Sequence, residues 1–343
     1  MIEILQGAAR YVQGPGALSR MAQDLRGLES AFAVGGERGL AAFLPAFRLE
    51  GARIETGGPL AGKSTWEQAR ALAGRAVRAD AQAILGAGGG AAMDLAKAVA
   101  ALSGRRVYLA PTTAATCAAA TTLIALYDGQ GRRTGAYALP RPVDGVYADE
   151  ALLAKAPART LAAGIADGMA KLSETASACL YPDNPPEPRW RSAMAQALHL
   201  MDVYFSCAAD ALAGDETARS EVVYANLQLV SAITATGSNR RTGEIAHAFY
   251  NGVTALFPEQ RARFLHGEIV GVGVLLEMEM TGTIAGYTRK SAAAFLREVL
   301  ACPTTLSDLG LPADEVSLAR LSAYISERSG LSPTSVVVAL GTL

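Results

Sequence analysis

The first 150 residues alternate short apolar runs with longer stretches whose apolar residues recur three and four apart. "AFAVGG" (31–36), "ARIET" (52–56), "AQAILGAG" (81–88), "RVYLAP" (106–111) and "GVYAD" (145–149) read as strands, with "ERGLAAFLPAF" and "TWEQARALAGRAVRA" as helices among them. Strands that alternate with helices pair in parallel, because each return to the sheet is a crossover. The alternation predicts an open α/β domain with a parallel sheet, whose ligands sit beyond the carboxyl ends of the strands. "YDGQGRR" (127–133) reads as the turn of a small hairpin.

After about residue 150 the strand-like runs stop, and alanine- and leucine-rich helical patterns continue to the end. Breaks fall at "YPDNPPEP" (181–188), "TGSNRRTG" (236–243) and "CPTTLSDLGLP" (302–312). The expected organisation is an α/β domain over 1–155 and an all-helical domain over 156–343, with a cleft between them.

Lys plus Arg (31) nearly balance Asp plus Glu (32), and aromatics make up only 6% of the chain. Neither the charge excess nor the stacking surface of a nucleic-acid binder is present. Cys117, Cys179, Cys207 and Cys302 are too scattered for a disulfide framework or a zinc knuckle. No signal-like start and no uninterrupted apolar run of about eighteen residues is visible. The expectation is a reduced, cytoplasmic protein acting on a small molecule, with no nucleic-acid or membrane partner.

Two loops draw attention. "ILGAGGGAAMDLAKAVA" (84–100) places Gly88, Gly89 and Gly90 between a strand and a helix, where bare backbone N–H groups and a helix N-terminus can face a phosphate. A tight turn with close strand–helix packing explains an isolated glycine triplet equally well, and this one lacks the G-x-G-x-x-G pattern. "APTTAATCAAATTLIALY" (110–127) follows the next strand and is dense in small hydroxyl residues, among them Thr112, Thr113, Thr116, Thr121 and Thr122. Such side chains can donate to phosphate or ribose oxygens, and threonine is also common in turns.

The chain holds three histidines. His199 lies in a helical pattern and reads as structural or surface. His247 in "GEIAHAFYNG" and His266 in "RFLHGEIVG" are nineteen residues apart, a separation suited to facing positions on neighbouring helices. "AAGIADGMAKLSE" (162–174) supplies Asp167 in an otherwise apolar, glycine-flanked setting. One carboxylate and two neutral imidazoles leave a tetrahedral cation site with an open position; satisfied core residues are the alternative.

Taken together these segments resemble the glycerol dehydrogenase branch of the iron-containing alcohol dehydrogenase superfamily. "GAGGGAAMDLAKAVA" resembles G-G-G-K-x-x-D-x-A-K, and "PTTAATCAAATTLIALY" resembles P-T-x-A-S-T-D-A-P-x-S-x-L-S-V-I-Y. "LAAGIADGMAKLSE" resembles L-x-A-G-x-G-D-x-L-x-x-x-x-E. "AHAFYNGVTAL" with "LHGEIVG" resembles A-H-A-x-H-N-G-x-T-A-L followed by Y-H-G-E-K-V-A, and "CPTTLSDLGL" resembles L-P-T-T-L-x-x-L. The resemblance implies a dehydroquinate synthase-like fold, with a dinucleotide-binding first domain and a metal-binding second one. It implies NAD or NADP on Gly88, Gly89, Gly90, Asp94, Thr112, Thr121, Leu123 and Tyr127. It also implies Zn²⁺, or in some members Fe²⁺, on Asp167, His247 and His266 as the catalytic centre, and a homo-oligomeric assembly. For Asp94 and Lys97 a surface ion pair is the alternative.

The departures from the family pattern are informative. Ala91 stands where the family has lysine, Tyr250 where it has a second histidine, and Gly36 where an acidic residue would select NAD. Glu37 and Arg38 follow, so NADP stays open. Cys117 stands where glycerol dehydrogenases carry a substrate-side aspartate, and "ATCAA" also resembles the hydroxycarboxylate dehydrogenase subgroup. Cys117 is therefore a candidate substrate contact or a small filler, and Arg240 and Arg241 are candidate carboxylate clamps or a solvated loop. The expected activity is metal-dependent hydride transfer between NAD(P) and a small secondary alcohol, 2-hydroxy acids first and glycerol second. A dehydroquinate synthase-like lyase and a degenerate non-catalytic homologue are the alternatives.

Overall fold

A computed structural model describes residues 4–60, 62, 64–129, 133–184, 187–237 and 241–343. The chain divides into two compact units: residues up to Pro157 together with Asn226–Ala235, and Ala158–Ala225 together with Thr236–Leu343. The division expected between 155 and 156 is drawn after Pro157, and a later ten-residue segment joins the first unit. Asn226 Nδ2 donates to the Ala114 carbonyl (2.8 Å) and Ser231 Oγ to that of Ala120, which ties this segment to the threonine-rich loop. No helical periodicity could announce such contacts across more than 100 residues.

The first unit is built on six parallel strands: β1 (Tyr11–Gly14), β2 (Ser30–Gly35), β3 (Arg53–Pro59), β4 (Ala83–Gly88), β5 (Arg106–Pro111) and, after a hairpin, β8 (Gly145–Asp149). Their order is β1-β8-β5-β4-β2-β3. β6 (Leu123–Tyr127) and β7 (Arg133–Ala138) form the separate antiparallel hairpin expected around 127–133. Residues 130–132 of that turn lie outside the described residues. β1 has no counterpart among the expected strands: its "YVQG" is half-buried at all four positions and carries no apolar run.

Alternate side chains of the inner strands enter two cores. Phe32, Val34, Ile84, Val107 and Leu109 pack on one face under α3 (Trp66–Arg78) and α4 (Gly90–Ser103). Ala31, Ala33, Leu85 and Ala87 pack on the other under α1 (Ala17–Asp24) and α2 (Glu37–Ala46). A parallel sheet covered on both faces explains why these strands read as continuous apolar runs. The chain moves outward from β2 to β3, then returns to lay β4 along the other side of β2. The reversal puts the carboxyl ends of β2 and β4, with Gly35 and Gly88, at the switch point where such sheets hold ligands.

The second unit is helical. After α5 (Glu150–Leu153) in the first unit come α6 (Ala158–Ala176), α7 (Pro188–Ala213) and α8 (Glu216–Tyr224). α9 (Val230–Thr236) falls mostly in the segment that joins the first unit, and α10 (Ile245–Leu256), α11 (Pro258–Arg263) and α12 (His266–Thr281) return to the second. α12 packs on both α6 and α10. At Gly267 an added Cβ would stand 1.7 Å from the Ala163 carbonyl oxygen, so only glycine lets the start of α12 lie on α6. Among the described residues no helix is long and apolar enough to cross a membrane.

Candidate functional site

Three packed helices each contribute one polar group to a common point. Asp167 lies in the middle of α6, His247 in the first turn of α10, and His266 is the first residue of α12. The His247 and His266 Nε2 atoms lie 3.4 and 2.9 Å from Asp167 Oδ1, and one ligand atom from each of the three falls within 4.8 Å of the others. Tetrahedral bonds of 2.0–2.1 Å to nitrogen and oxygen would set neighbouring ligand atoms roughly 3.3 Å apart. Asp167 is buried at 7% exposure, and its Oδ1 accepts no hydrogen bond among the described residues. A buried, orphaned carboxylate oxygen facing two imidazole nitrogens fits a divalent cation. The imidazoles keep about a quarter of their side-chain surface exposed (26% and 28%), so the triad is in contact with solvent.

Behind the triad lies a second layer that sequence reading did not assign. Glu174 Oε1 meets His247 Nδ1 at 2.5 Å, and Glu174 Oε2 accepts from Lys171 Nζ at 3.0 Å. With Nδ1–H donated to Glu174, His247 Nε2 keeps its lone pair for a cation, the arrangement that orients metal-bound histidines in general. Without a cation, burial opposes the charge on His247, but Glu174 and then Asp167 outweigh it and raise the pKa to about 10, so a cation must displace the Nε2 proton to take that lone pair. Burial likewise opposes charge on Asp167, and His266 and His247 together hold its carboxyl far below the usual range. Glu277 of α12 accepts from the Ile245 and Ala246 N–H groups and from Ser173 Oγ (3.1, 3.4 and 2.9 Å). It thereby caps α10, whose own N-cap residue Glu244 supplies no side-chain bond. Seven residues, about two turns, separate Asp167 from Glu174, so the "D-x₆-E" spacing already placed both on one helix face.

In the first unit the glycine triplet lies between β4 and α4, whose N-terminus has no side-chain cap. Gly88 has φ +141°, outside the range that other residues favour, and an added Cβ would meet Ala92 Cβ at 2.8 Å. A Cβ on Gly90 would meet Thr116 Oγ1 at 2.7 Å. The chain's own packing therefore accounts for part of the glycine content, while Gly89, half-buried, would meet only Thr113 Oγ1 at 3.3 Å. Gly88→Ala is expected to cost about 1–3 kcal/mol of folding free energy through backbone strain. Urea denaturation of the first unit would measure it, and a change below about 0.5 kcal/mol would contradict the assignment.

The remaining candidates are dispersed. Thr112 is half-buried and its N–H donates to the Gly88 carbonyl (2.9 Å), bringing the two loops together. Thr121 is buried and its Oγ1 accepts from the Leu123 N–H (2.8 Å); Leu123 is exposed and Tyr127 half-buried. Asp94 is buried and paired to Lys97 at 3.0 Å, not displayed on the surface. Cys117 is half-buried and opens a short 3₁₀ turn, Cys117–Ala119. Arg240 lies outside the described residues. The Arg241 guanidinium lies over the Tyr181 ring and donates to the Ser329 carbonyl (3.1 Å). Tyr250 is buried and its ring stands edge-on to His266, with centroids 4.2 Å apart. His199 is exposed on α7.

A parallel α/β unit followed by a helical unit carrying this polar triad is the arrangement that the sequence resemblance implies. Residues 8–142 match the family described as iron-containing alcohol dehydrogenase. The glycerol dehydrogenase of Thermotoga maritima is 33% identical over 316 residues, spanning 88% of this chain and 83% of that protein. Hydroxycarboxylate dehydrogenase A of Escherichia coli is 30% identical over 321 residues, spanning 90% and 85%. The crystal structure of a probable glycerol dehydrogenase from Sinorhizobium meliloti 1021 matches with a TM-score of 0.84 at 25% identity, over 99% of this chain and 97% of that one. The chain belongs to the iron-containing alcohol dehydrogenase family, among its glycerol dehydrogenase-like members.

Proposed function

We propose that this chain is a metal-dependent NAD(P) oxidoreductase that interconverts a small secondary alcohol and its ketone, with 2-hydroxy acids and 2-oxo acids preferred. The observation that carries this proposal is the convergence of Asp167, His247 and His266 around an orphaned carboxylate oxygen, with Glu174 behind His247. When bound, a divalent cation polarises the substrate oxygen and a nicotinamide dinucleotide takes or gives the hydride. Asp167, His247 and His266 would hold the cation, and zinc suits their oxygen and nitrogen donors. The Gly88–Gly90 loop and the N-terminus of α4 would hold the dinucleotide pyrophosphate. Gly36 presents no carboxylate to repel a 2′-phosphate, so both NAD and NADP are expected to bind. Tyr250 in place of the family's second histidine means that no imidazole at that position passes the substrate proton.

Substrate preference is assigned from Cys117. A thiol there, in place of a carboxylate, removes an acceptor for polyol hydroxyls and also a charge that would repel a substrate carboxylate. Two like charges 4 Å apart at an effective dielectric of 20 interact by about 4 kcal/mol. The likeness to hydroxycarboxylate dehydrogenase A supports this preference; the likeness to glycerol dehydrogenases favours glycerol and dihydroxyacetone as the second reading. Steady-state assays with 2-oxoglutarate, 2-oxobutanoate, glycerol and dihydroxyacetone decide between them. Cys117→Asp is expected to lower kcat/KM for the oxo acids by about a hundredfold or more, and to raise it for dihydroxyacetone. Turnover confined to the polyol pair in the unaltered chain would remove the 2-hydroxy acid assignment.

A further inference from the structure

We infer that Arg159 is a positioning residue for His266, acting through Glu268, a role that rests on the cation site proposed above. The two imidazoles of the triad are held differently. His247 is aimed by Glu174 at its Nδ1, whereas among the described residues no hydrogen bond reaches His266 Nδ1. The direction of His266 therefore depends on where α12 begins, since it is that helix's first residue. Leu265 precedes it at the N-cap and has no side-chain oxygen with which to cap the helix. Glu268 supplies the other half of a capping box, its Oε2 accepting from the Leu265 N–H at 2.8 Å.

Glu268 is nearly buried, with 5% of its side chain exposed, and a buried carboxylate is retained only with a well-formed partner. Arg159 of α6 is that partner. Its Nε donates to Glu268 Oε1 at 2.6 Å, and its Nη2 donates to Oε2 at 2.7 Å and to the Arg263 carbonyl at 3.0 Å. A forked pair fixes orientation as well as distance. Arg159 stands eight residues before Asp167 on the same helix, so the clamp joins the helix that carries one ligand to the first turn of the helix that carries another. The close approach at Gly267 sets the separation of α6 and α12 but not their relative rotation; the fork sets the latter.

The test is Co²⁺ titration of the apo full-length chain, followed by dissociation constant and by the visible d–d spectrum. Arg159→Gln is expected to weaken Co²⁺ binding about tenfold and to change the d–d band intensities, as expected when a ligand's supporting shell is removed. Arg159→Lys, which keeps the charge but not the fork, is expected to fall between the two. Arg297 lines the same open depression as Arg159 but donates to Thr304 Oγ1 instead, so Arg297→Gln is expected to bind like wild type. The inference is overturned if Arg159→Gln and Arg159→Lys both keep the wild-type constant and spectrum, or if Arg297→Gln loses as much affinity as Arg159→Gln. Failure of the wild-type chain itself to bind Co²⁺ would instead remove the cation site, and the clamp's role with it. Arg159 has 57% of its side chain exposed, so its replacement removes little packing, and a far-UV circular dichroism spectrum like that of wild type shows that the fold is kept with Glu268 unpaired.

Discussion

Asp167→Asn is expected to bind a divalent cation at least about a thousandfold more weakly than the wild-type chain and to lose turnover in parallel. Asparagine matches aspartate in size, so the packing of α6 is kept and the loss reads on chemistry. What changes is the donor: a neutral amide replaces the anionic oxygen that both imidazole Nε2 atoms face. One amide rotamer directs an NH₂ group into the space the cation would take. The substitution also removes one of the two carboxylates that favour the imidazolium form of His247. Equilibrium dialysis followed by elemental analysis measures the first effect, and initial rates on the metal-saturated protein measure the second. Wild-type affinity in the Asn variant would show that Asp167 is a core residue and not a ligand.

Lys97→Met is expected to destabilise the first unit by about 3–5 kcal/mol and to weaken dinucleotide binding. Lys97 is fully buried, and its ammonium donates to the carbonyls of Ala118 (2.8 Å), Thr121 (3.1 Å) and Leu123. These carbonyls belong to the loop and strand start on which the resemblance places Thr121 and Leu123 as cofactor contacts. Asp94 pairs with the same ammonium; burial pushes its carboxyl above the usual range, and Lys97 opposes that rise. Removing the lysine leaves a buried carboxyl and three carbonyls without their donor. Removing both charges with Asp94→Leu and Lys97→Met is expected to cost less than the single change, since an uncompensated buried charge is the largest part of the penalty. Urea denaturation followed by Trp66 fluorescence in a Trp190→Phe background isolates the first unit. A loss under about 1 kcal/mol for Lys97→Met would contradict the caged-ammonium account.

Local order was legible in the sequence wherever one face of an element is apolar. β2, β4, β5 and β8 were readable because a doubly covered sheet demands apolar runs, and edge strand β3, which has none, was readable from its place between two helical patterns. β1, with a half-buried edge position and only four residues, offers no such run and was missed. The three candidate ligands were within reach because Asp167, His247 and His266 each sit in a short motif beside glycine or a helix start. Gly267 shows why glycine adjoins His266: the backbone of α6 lies where its side chain would be. Glu174 was recoverable from its two-turn spacing to Asp167, and it lay inside a motif already singled out.

The pairings that organise the site were not legible, because they join distant segments. Arg159 and Glu268 are 109 residues apart, Ser173 and Glu277 104, and nothing local marks either pair. The same holds for Asn226, whose bond to Ala114 draws a helical segment into the α/β unit. Arg241, read from sequence as a possible carboxylate clamp, spends its guanidinium on Tyr181 and Ser329, contacts that only the folded chain brings within reach.

The most direct measurement is X-ray absorption at the zinc edge of the full-length chain loaded with one equivalent of Zn²⁺. Two imidazole nitrogens and at least one carboxylate oxygen at about 2.0–2.2 Å are the expected shell, with the imidazole scattering halved in His247→Ala. A shell of oxygen scatterers alone, or one unchanged by that substitution, would contradict a cation held by Asp167, His247 and His266.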